Sequence, residues 1–477
     1  MWFRRDLRLD DNPALAAAAA ASENNVICLY ILEDQSDGRG PGGASKWWLD
    51  KSLRALAAEI KKHGGTLILR KGAAKSVLQD VIDSTGAKSV FWNRRYDLSG
   101  REIDTDLKSH FKDTNIDVES FNGSVLTEPW TQTTGSGGYY KVYSPYWRSV
   151  QANYQSPPAA PRPTLLKAWA LPSDDLDDWQ LHPTHPDWSK GFDGPWQPGT
   201  AGAKQRLAAF LDGPVASYKE DRNRPDIETG TSGLSPHLAY GEISPAQIWR
   251  ATKDRLNSGA IIEKGAHTFL SEVVWRDFAY VLLFHNPELA TENFKRDFDL
   301  MPWRQDEVAL RAWQKGQTGY PIVDAGMRQL WHTGWMHNRV RMIVASFLTK
   351  HLLIHWRHGE DWFWDTLGDA DPASNSASWQ WTAGSGADAA PYFRVFNPIT
   401  QGEKFDETGD YVRKWCPELA RLPRKYLYQP WEADPLILQE AGITLGDTYP
   451  HPIVAHKQGR ERALAAYETL KERRDAA

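Results

Sequence analysis

Between Trp331 and Asp406 the chain concentrates residue types that do chemistry rather than fill a core. The span reads WHTGWMHNRVRMIVASFLTK and, further on, DADPASNSASWQWTAGSGADAAPYFRVFNPITQGEKFD. It holds several tryptophans, an Asn-Arg pair, two aspartates two residues apart, and an asparagine ahead of Trp-Gln-Trp. Cores favour Leu, Ile and Val, and Trp is seldom buried completely. Trp335, Asn338, Arg339 and Met342 fall at i, i+3, i+4 and i+7, the spacing of one helix face. Glu272, Trp275 and Arg276 fall at i, i+3 and i+4 on a second helix. Either face alone reads as helix packing plus solvated charge. Together they describe a pocket with indole walls, one carboxylate, one amide and one thioether, rimmed by arginine. Asp369 and Asp371 are either solvated charge or acceptors for a ligand's N–H and O–H groups. Thr231-Ser232-Gly233-Leu234-Ser235 runs into a helix start, as a plain N-cap or as an anion site.

These side chains need a frame. Residues 1–125 alternate short β-branched runs with helical stretches. Val26–Leu32, Thr66–Arg70 and Ser89–Trp92 read as buried parallel strands, and Lys46–His63 as a helix between two of them. That alternation predicts an α/β domain with a doubly wound parallel sheet. No Gly-x-Gly-x-x-Gly follows a strand, so no dinucleotide fold is claimed. Residues 126–200 carry Pro157, Pro158, Pro161, Pro163, Pro183, Pro186, Pro195 and Pro198, the mark of a long interdomain linker. Residues 201–477 show helical periodicity without clear strands, which predicts an all-α domain. Its helix candidates are Leu207–Leu211, Ala266–Phe284, Ile322–Trp331, Asn338–Trp356 and Gln458–Arg474.

Composition narrows the classes. A chain of 477 residues exceeds one core, and 25% charged with 41% apolar residues is the balance of a globular protein. No apolar run approaches the roughly 20 residues of a membrane span. The N-terminus has Arg and Asp where a signal peptide needs an apolar core, so a cytoplasmic protein is expected. Cys28 and Cys416 are the only cysteines. That excludes a disulfide framework and any four-cysteine zinc or iron–sulfur site, and no metal is expected. A net charge of −5 argues mildly against nucleic-acid binding, although the sum conceals any local basic groove.

The Trp331–Asp406 span closely resembles the flavin-domain signature of the photolyase/cryptochrome family. The resemblance extends to Trp2-Phe3-Arg4-Arg5-Asp6-Leu7-Arg8 and so covers essentially the whole chain. Family members carry several apolar residues before the Trp-Phe-Arg motif. Here only Met1 precedes it, which leaves the first strand unsupported. The resemblance implies FAD as cofactor. Thr231, Ser232, Gly233, Leu234 and Ser235 would grip its pyrophosphate, with Tyr218 beside them; Gly233 stands where relatives often have Arg. Asp369 and Asp371 would accept from the flavin and ribityl groups, with Arg341 pairing Asp369 across the flavin. Asn375 would face flavin N5, and an amide cannot protonate it. Trp379, Trp356 and Trp303 match an electron-transfer triad, running from the flavin outward in that order.

On the substrate side, the resemblance implies DNA containing cyclobutane pyrimidine dimers, with the dimer flipped out of the duplex. Glu272, Asn338 and Met342 would cradle it beside Trp275. Arg222, Arg276, Arg339, Trp381 and Gln401 would meet the DNA. Trp47 and Trp48, within GGASKWWL, resemble a proteobacterial branch that uses a 5,10-methenyltetrahydrofolate antenna; the alternative is that both indoles pack a helix against the sheet. The implied activity is light-driven cleavage of the dimer by an electron from reduced FAD, in a chain expected to be a monomer. The main rival is a cryptochrome-type blue-light photoreceptor. Asn375, Met342 and the absence of a long tail after Ala477 speak against it. An ordinary flavin oxidoreductase would need a nicotinamide site, and no fingerprint for one is present.

Overall fold

Period-two alternation in the N-terminal strands sorts their side chains to two faces of one sheet. The computed structural model describes residues 1–33, 39–182 and 185–476, so Pro183 and Ala477 lie outside the described residues. The strands are β1 (Trp2–Phe3), β2 (Cys28–Leu32), β3 (Leu67–Lys71), β4 (Ser89–Asn93) and β5 (Asp117–Phe121). They pair in the order β3-β2-β1-β4-β5, every pair parallel. Phe3, Tyr30, Leu69 and Phe91 point to one face, where they meet Leu15 of Pro13–Ala21 and Leu53 of Gly43–Lys62. Trp2, Leu29, Ile31, Ile68 and Trp92 point to the other, against Val77 and Leu78 of Ala74–Thr85 and Leu107 of Leu98–Phe111. This is the expected doubly wound sheet.

The first strand forms despite the short lead. It has only two residues yet sits at the sheet's centre, and the Met1 carbonyl accepts from Leu29 N–H at 2.9 Å. β5 was not foreseen, because DVESF is too polar to read as a buried strand. It is an edge strand, where polar residues are tolerated. The proline-rich stretch packs back onto the first core face through Leu166, Leu176, Leu181 and Phe192.

Two compact units emerge, divided differently from the expected 1–125, 126–200 and 201–477. One comprises residues 1–216, 232–287 and 368–373; the other comprises 217–231, 288–367 and 374–477. The first therefore takes in the long helix Glu263–His285. The second is helical, with no strand longer than an isolated bridge among its described residues. The expected continuous helix Asn338–Trp356 is broken. It runs Asn338–Ser346, continues as a π-helical turn Phe347–His351, and stops at Leu353, whose φ is +55°. A new helix, Trp356–Thr366, starts behind His355, whose side chain caps Arg357 N–H. No helix among the described residues is long and apolar enough to cross a membrane.

Candidate active site

In the first unit, the long helix Glu263–His285 and the segment 368–373 hold the acidic cluster. Tyr280 O–H donates to Asp371 Oδ2 at 2.7 Å, and Ser235 O–H donates to Asp369 Oδ2 at 2.6 Å. Both aspartates are buried. Solvated surface charge is thereby set aside; these are fixed acceptors. Tyr280 lies four residues beyond Arg276, so helical spacing could have pointed to it. Arg276 itself is a correction. Its guanidinium does not form an outer rim: Nη1 donates to the Ser124 carbonyl at 2.5 Å and Nη2 stands 3.8 Å from Asp371. Trp275 stacks on Tyr143, ring centroids 3.6 Å apart. Glu272 lies one turn before it on the same helix, half-buried.

The Thr231–Ser235 run leads into a helix of one turn, Ser235–Ala239. Gly233 has φ +62°, a conformation that disfavours a side chain. A Cβ there would meet Arg206 Nη1 at 2.5 Å. A guanidinium thus already stands where the expected side chain of that position would begin. Trp47 and Trp48 are buried to 1% exposure. Trp48 donates its N–H to Glu242 at 3.1 Å and Trp47 packs edge-on against Phe192, within the core on the first face.

In the second unit, Pro372–Ala383 carries Asn375, Trp379 and Trp381. The Asn375 amide N–H₂ donates to Glu360 Oε1 at 2.7 Å and to the Glu360 carbonyl at 3.1 Å. Both donors are held, which leaves Oδ1 as its outward group. The Trp379 ring lies flat against Gly359: a Cβ there would come within 2.1 Å of it. Gly359 is one turn from Trp356 on the same helix. His355 then sits between the remaining indoles, 5.5 Å from the Trp356 ring and 5.2 Å from Trp303. Trp379 and Trp356 are buried and Trp303 half-buried, so the array runs from interior to surface. Glu360 and His355 follow no local pattern and were missed. Gly359, an isolated glycine in a helical run, was a usable signal.

The substrate-side helix needs one correction. Trp335 is not on it, because Gly334 ends the preceding helix at φ +65° and the next begins at Asn338. Asn338 and Met342 keep the shared face, Asn338 exposed and Met342 half-buried. Trp335 instead has the Arg341 guanidinium 5.9 Å above its ring, and Arg341 Nε donates to Met336 O at 2.7 Å. Arg339 donates to Asn223 Oδ1 at 2.6 Å and lies over the Phe405 ring, with no carboxylate bonded to it among the described residues. Arg222 lies 5.9 Å from the ring of buried Tyr218. Gln401 stands on Pro398–Phe405, half-buried.

His337 caps that helix by accepting from Arg339 N–H through Nδ1. Burial, with Arg339, Arg341 and Arg222 adding repulsion, holds its pKa down at about 3. A histidine with a lowered folded pKa contributes stability that is fully present above its unfolded pKa near 6.5 and is lost as pH falls towards 3. At pH 5 this costs about 2 kcal/mol. His337→Asn keeps a capping acceptor without a proton site. Denaturant titrations at pH 7 and pH 5 should show a smaller acid-side loss in that variant than in the parent.

In the first unit the acceptors suit a flavin: two buried carboxylates and a serine hydroxyl. In the second unit, Ser376 Oγ and Trp379 Nε1 on Pro372–Ala383 are buried without a partner among the described residues. Residues 269–469 match the family model of the FAD binding domain of DNA photolyase, and residues 1–164 that of DNA photolyase. This chain belongs to the DNA photolyase family. Among photolyase relatives, the deoxyribodipyrimidine photo-lyase of Agrobacterium fabrum is 54% identical, over 99% of this chain and 98% of that one. A class III photolyase structure from Agrobacterium tumefaciens superposes with a TM-score of 0.95, at 54% identity, over 99% of this chain and 97% of the other. Cryptochrome-1 of Arabidopsis thaliana is 37% identical, over 98% of this chain but 70% of its own length.

Proposed function

We propose that the chain is a deoxyribodipyrimidine photo-lyase, a light-dependent carbon–carbon lyase that splits cyclobutane pyrimidine dimers in DNA. The observation that carries this reading is Asn375, held by Glu360 four residues ahead of Trp379. Its amide offers no proton to a neighbouring flavin. Bound FAD, in its reduced form, supplies the photoexcited electron and takes it back. The protein's part is binding and placement. Glu272 and Asn338 hydrogen-bond the flipped dimer, Trp275 and Met342 give it apolar walls, and Trp381 and Gln401 border the same substrate face. Carrying its proton, Glu272 would donate to the dimer carbonyl and stabilise the negative charge that develops there. Ser235, Asp369, Asp371 and Arg341 orient the cofactor, with Tyr218, Thr231, Ser232 and Leu234 at its diphosphate. Trp379, Trp356 and Trp303 return oxidised cofactor to the working state. The test is an absorption spectrum before and after illumination, with and without dimer-containing DNA. Loss of the dimer only in the light supports the reading; photoreduction with no dimer loss would favour a photoreceptor.

DNA affinity follows from charge. Arg339 beside Arg222, without a carboxylate bonded to it, is suited to a phosphate. Binding should weaken with salt despite the net negative charge. Arg339→Ala should cost on the order of 1–3 kcal/mol and lower the salt slope. Filter binding on irradiated DNA at several salt concentrations checks both. We further read residues 1–125 as the antenna-type domain, 126–200 as linker and 201–477 as the catalytic domain, in a cytoplasmic monomer. The antenna is read as methenyltetrahydrofolate. Its contacts are read as including the buried Trp47 and Trp48; the chromophore extracted from purified protein decides its identity.

A further inference from the structure

The three indoles of the electron chain differ in one respect. Trp379 Nε1 and Trp303 Nε1 are buried without a hydrogen-bond partner among the described residues, whereas Trp356 Nε1 donates to Asn293 Oδ1 at 2.8 Å. Asn293 is itself buried, and its Nδ2 donates to Asp299 Oδ1 at 2.7 Å. The amide orientation is fixed by chemistry, since an indole can only donate and a carboxylate can only accept. Gln380, adjacent to Trp379, clamps the segment on both sides of Asn293. It donates to the Glu292 carbonyl at 2.9 Å and accepts from Phe294 N–H at 2.8 Å. The helix that carries the inner tryptophan therefore fixes the residue that holds the middle one.

We propose that Asn293 is a positioning residue for charge migration, holding oxidised Trp356 as a protonated radical cation and, through Asp299, making it easier to oxidise than Trp379. This rests on the reading of Trp379, Trp356 and Trp303 as the electron chain. Removing one electron turns an indole N–H from a very weak acid into a strong one. A basic neighbour would take that proton and leave a neutral radical, a poor oxidant of the next tryptophan. An amide oxygen is far too weak a base to do so, yet its dipole faces the developing charge. Asp299, half-exposed and 3.8 Å from Arg296, polarises that dipole from the solvent side, so its share is smaller than that of the buried amide.

The steps balance without a proton transfer at Trp356. Trp356 gives one electron to oxidised Trp379, which returns to the neutral indole. Trp356, now a cation with its N–H intact, takes one electron from Trp303. An external one-electron donor such as a thiol then restores Trp303. The neighbouring His355 is neutral at physiological pH, burial lowering its pKa to about 4, so it adds no charge to oppose the transfer.

Five substitutions test this on the FAD-loaded protein. Asn293→Leu should lower the photoreduction rate roughly tenfold, the worth of a hydrogen bond to a charged group. In a Trp303→Phe background the charge stops at Trp356. There transient absorption should show a radical cation with Asn293 and a neutral radical with Asn293→Asp. Asp299→Asn should give a smaller slowing and carries the test if Asn293→Leu fails to fold. In Asn293→Leu and Asp299→Asn, FAD content and dimer repair by chemically reduced protein should not change. In the flavin-free chain, the ultraviolet resonance Raman marker of the Trp356 N–H should shift in Asn293→Leu. Trp356→Phe separates the two levels of the argument. If it photoreduces like the parent, the electron-chain reading fails. If it is inactive while the Asn293 variants keep the parental rate and the cation spectrum, only the role given to Asn293 fails.

Discussion

Trp379→Phe should abolish light-driven reduction of oxidised FAD while leaving repair by chemically reduced protein intact. The indole is 2% exposed, seated on Gly359, and its ring lies 5.0 Å from Phe363 and 6.1 Å from Trp313. Phenylalanine fits that seat with a modest loss, on the order of 1–3 kcal/mol at a buried aromatic site. It is far harder to oxidise, so the first link of the chain is lost with little structural change. Repair does not pass through this link, because the electron that opens the dimer comes from cofactor already reduced. Illumination of each protein with a thiol donor, followed by absorption, separates the two. Photoreduction at the parental rate would mean that another tryptophan route reaches the flavin.

The second large effect concerns lesion choice. Reduced protein under light should restore an oligonucleotide carrying a cyclobutane dimer and leave a (6–4) photoproduct untouched. Photolyases of the (6–4) type resemble this chain but carry two adjacent histidines in the substrate helix, one of which donates a proton. Here those positions are His337 and Asn338. Asn338 faces solvent and has no proton to give in the physiological range. His337 is buried, spends Nδ1 on the helix cap, and stays neutral because burial holds its pKa near 3. Neither is a general acid at neutral pH. Cyclobutane cleavage needs only an electron and a hydrogen-bonded cradle. Chromatography of the two oligonucleotides after illumination distinguishes the outcomes, and repair of the (6–4) lesion would overturn the assignment.

Much of this is legible in the sequence. Three of the five strands show as apolar runs, because a parallel sheet covered on both faces leaves little room for polar residues. β1 and β5 escaped for opposite reasons: one has two residues, the other is a polar edge. The break between Ser346 and Trp356 was hidden because SFLTKHLLIHW keeps an apolar pattern through it. Only the backbone at Leu353 stops the helix. Arg276 shows the limit of spacing arguments. Its position on the helix was right, but a long side chain can fold inward, and the Ser124 carbonyl drew it there. Likewise Glu360 and Asn293 act on residues 15 and 63 positions away, a distance at which no periodicity speaks.

The seat of Trp379 against Gly359 bears on how the light step depends on temperature. Electron tunnelling slows steeply with distance and with the nuclear rearrangement each transfer demands. An indole pressed on main-chain atoms, beside a second indole that is fully enclosed, has little water to reorient and little freedom to drift. The inner transfer should therefore need almost no thermal activation. Illumination in a frozen glass, where loops and solvent are arrested, should still oxidise Trp356, whereas charge arrival at half-buried Trp303 should be curtailed for want of mobile solvent to stabilise it.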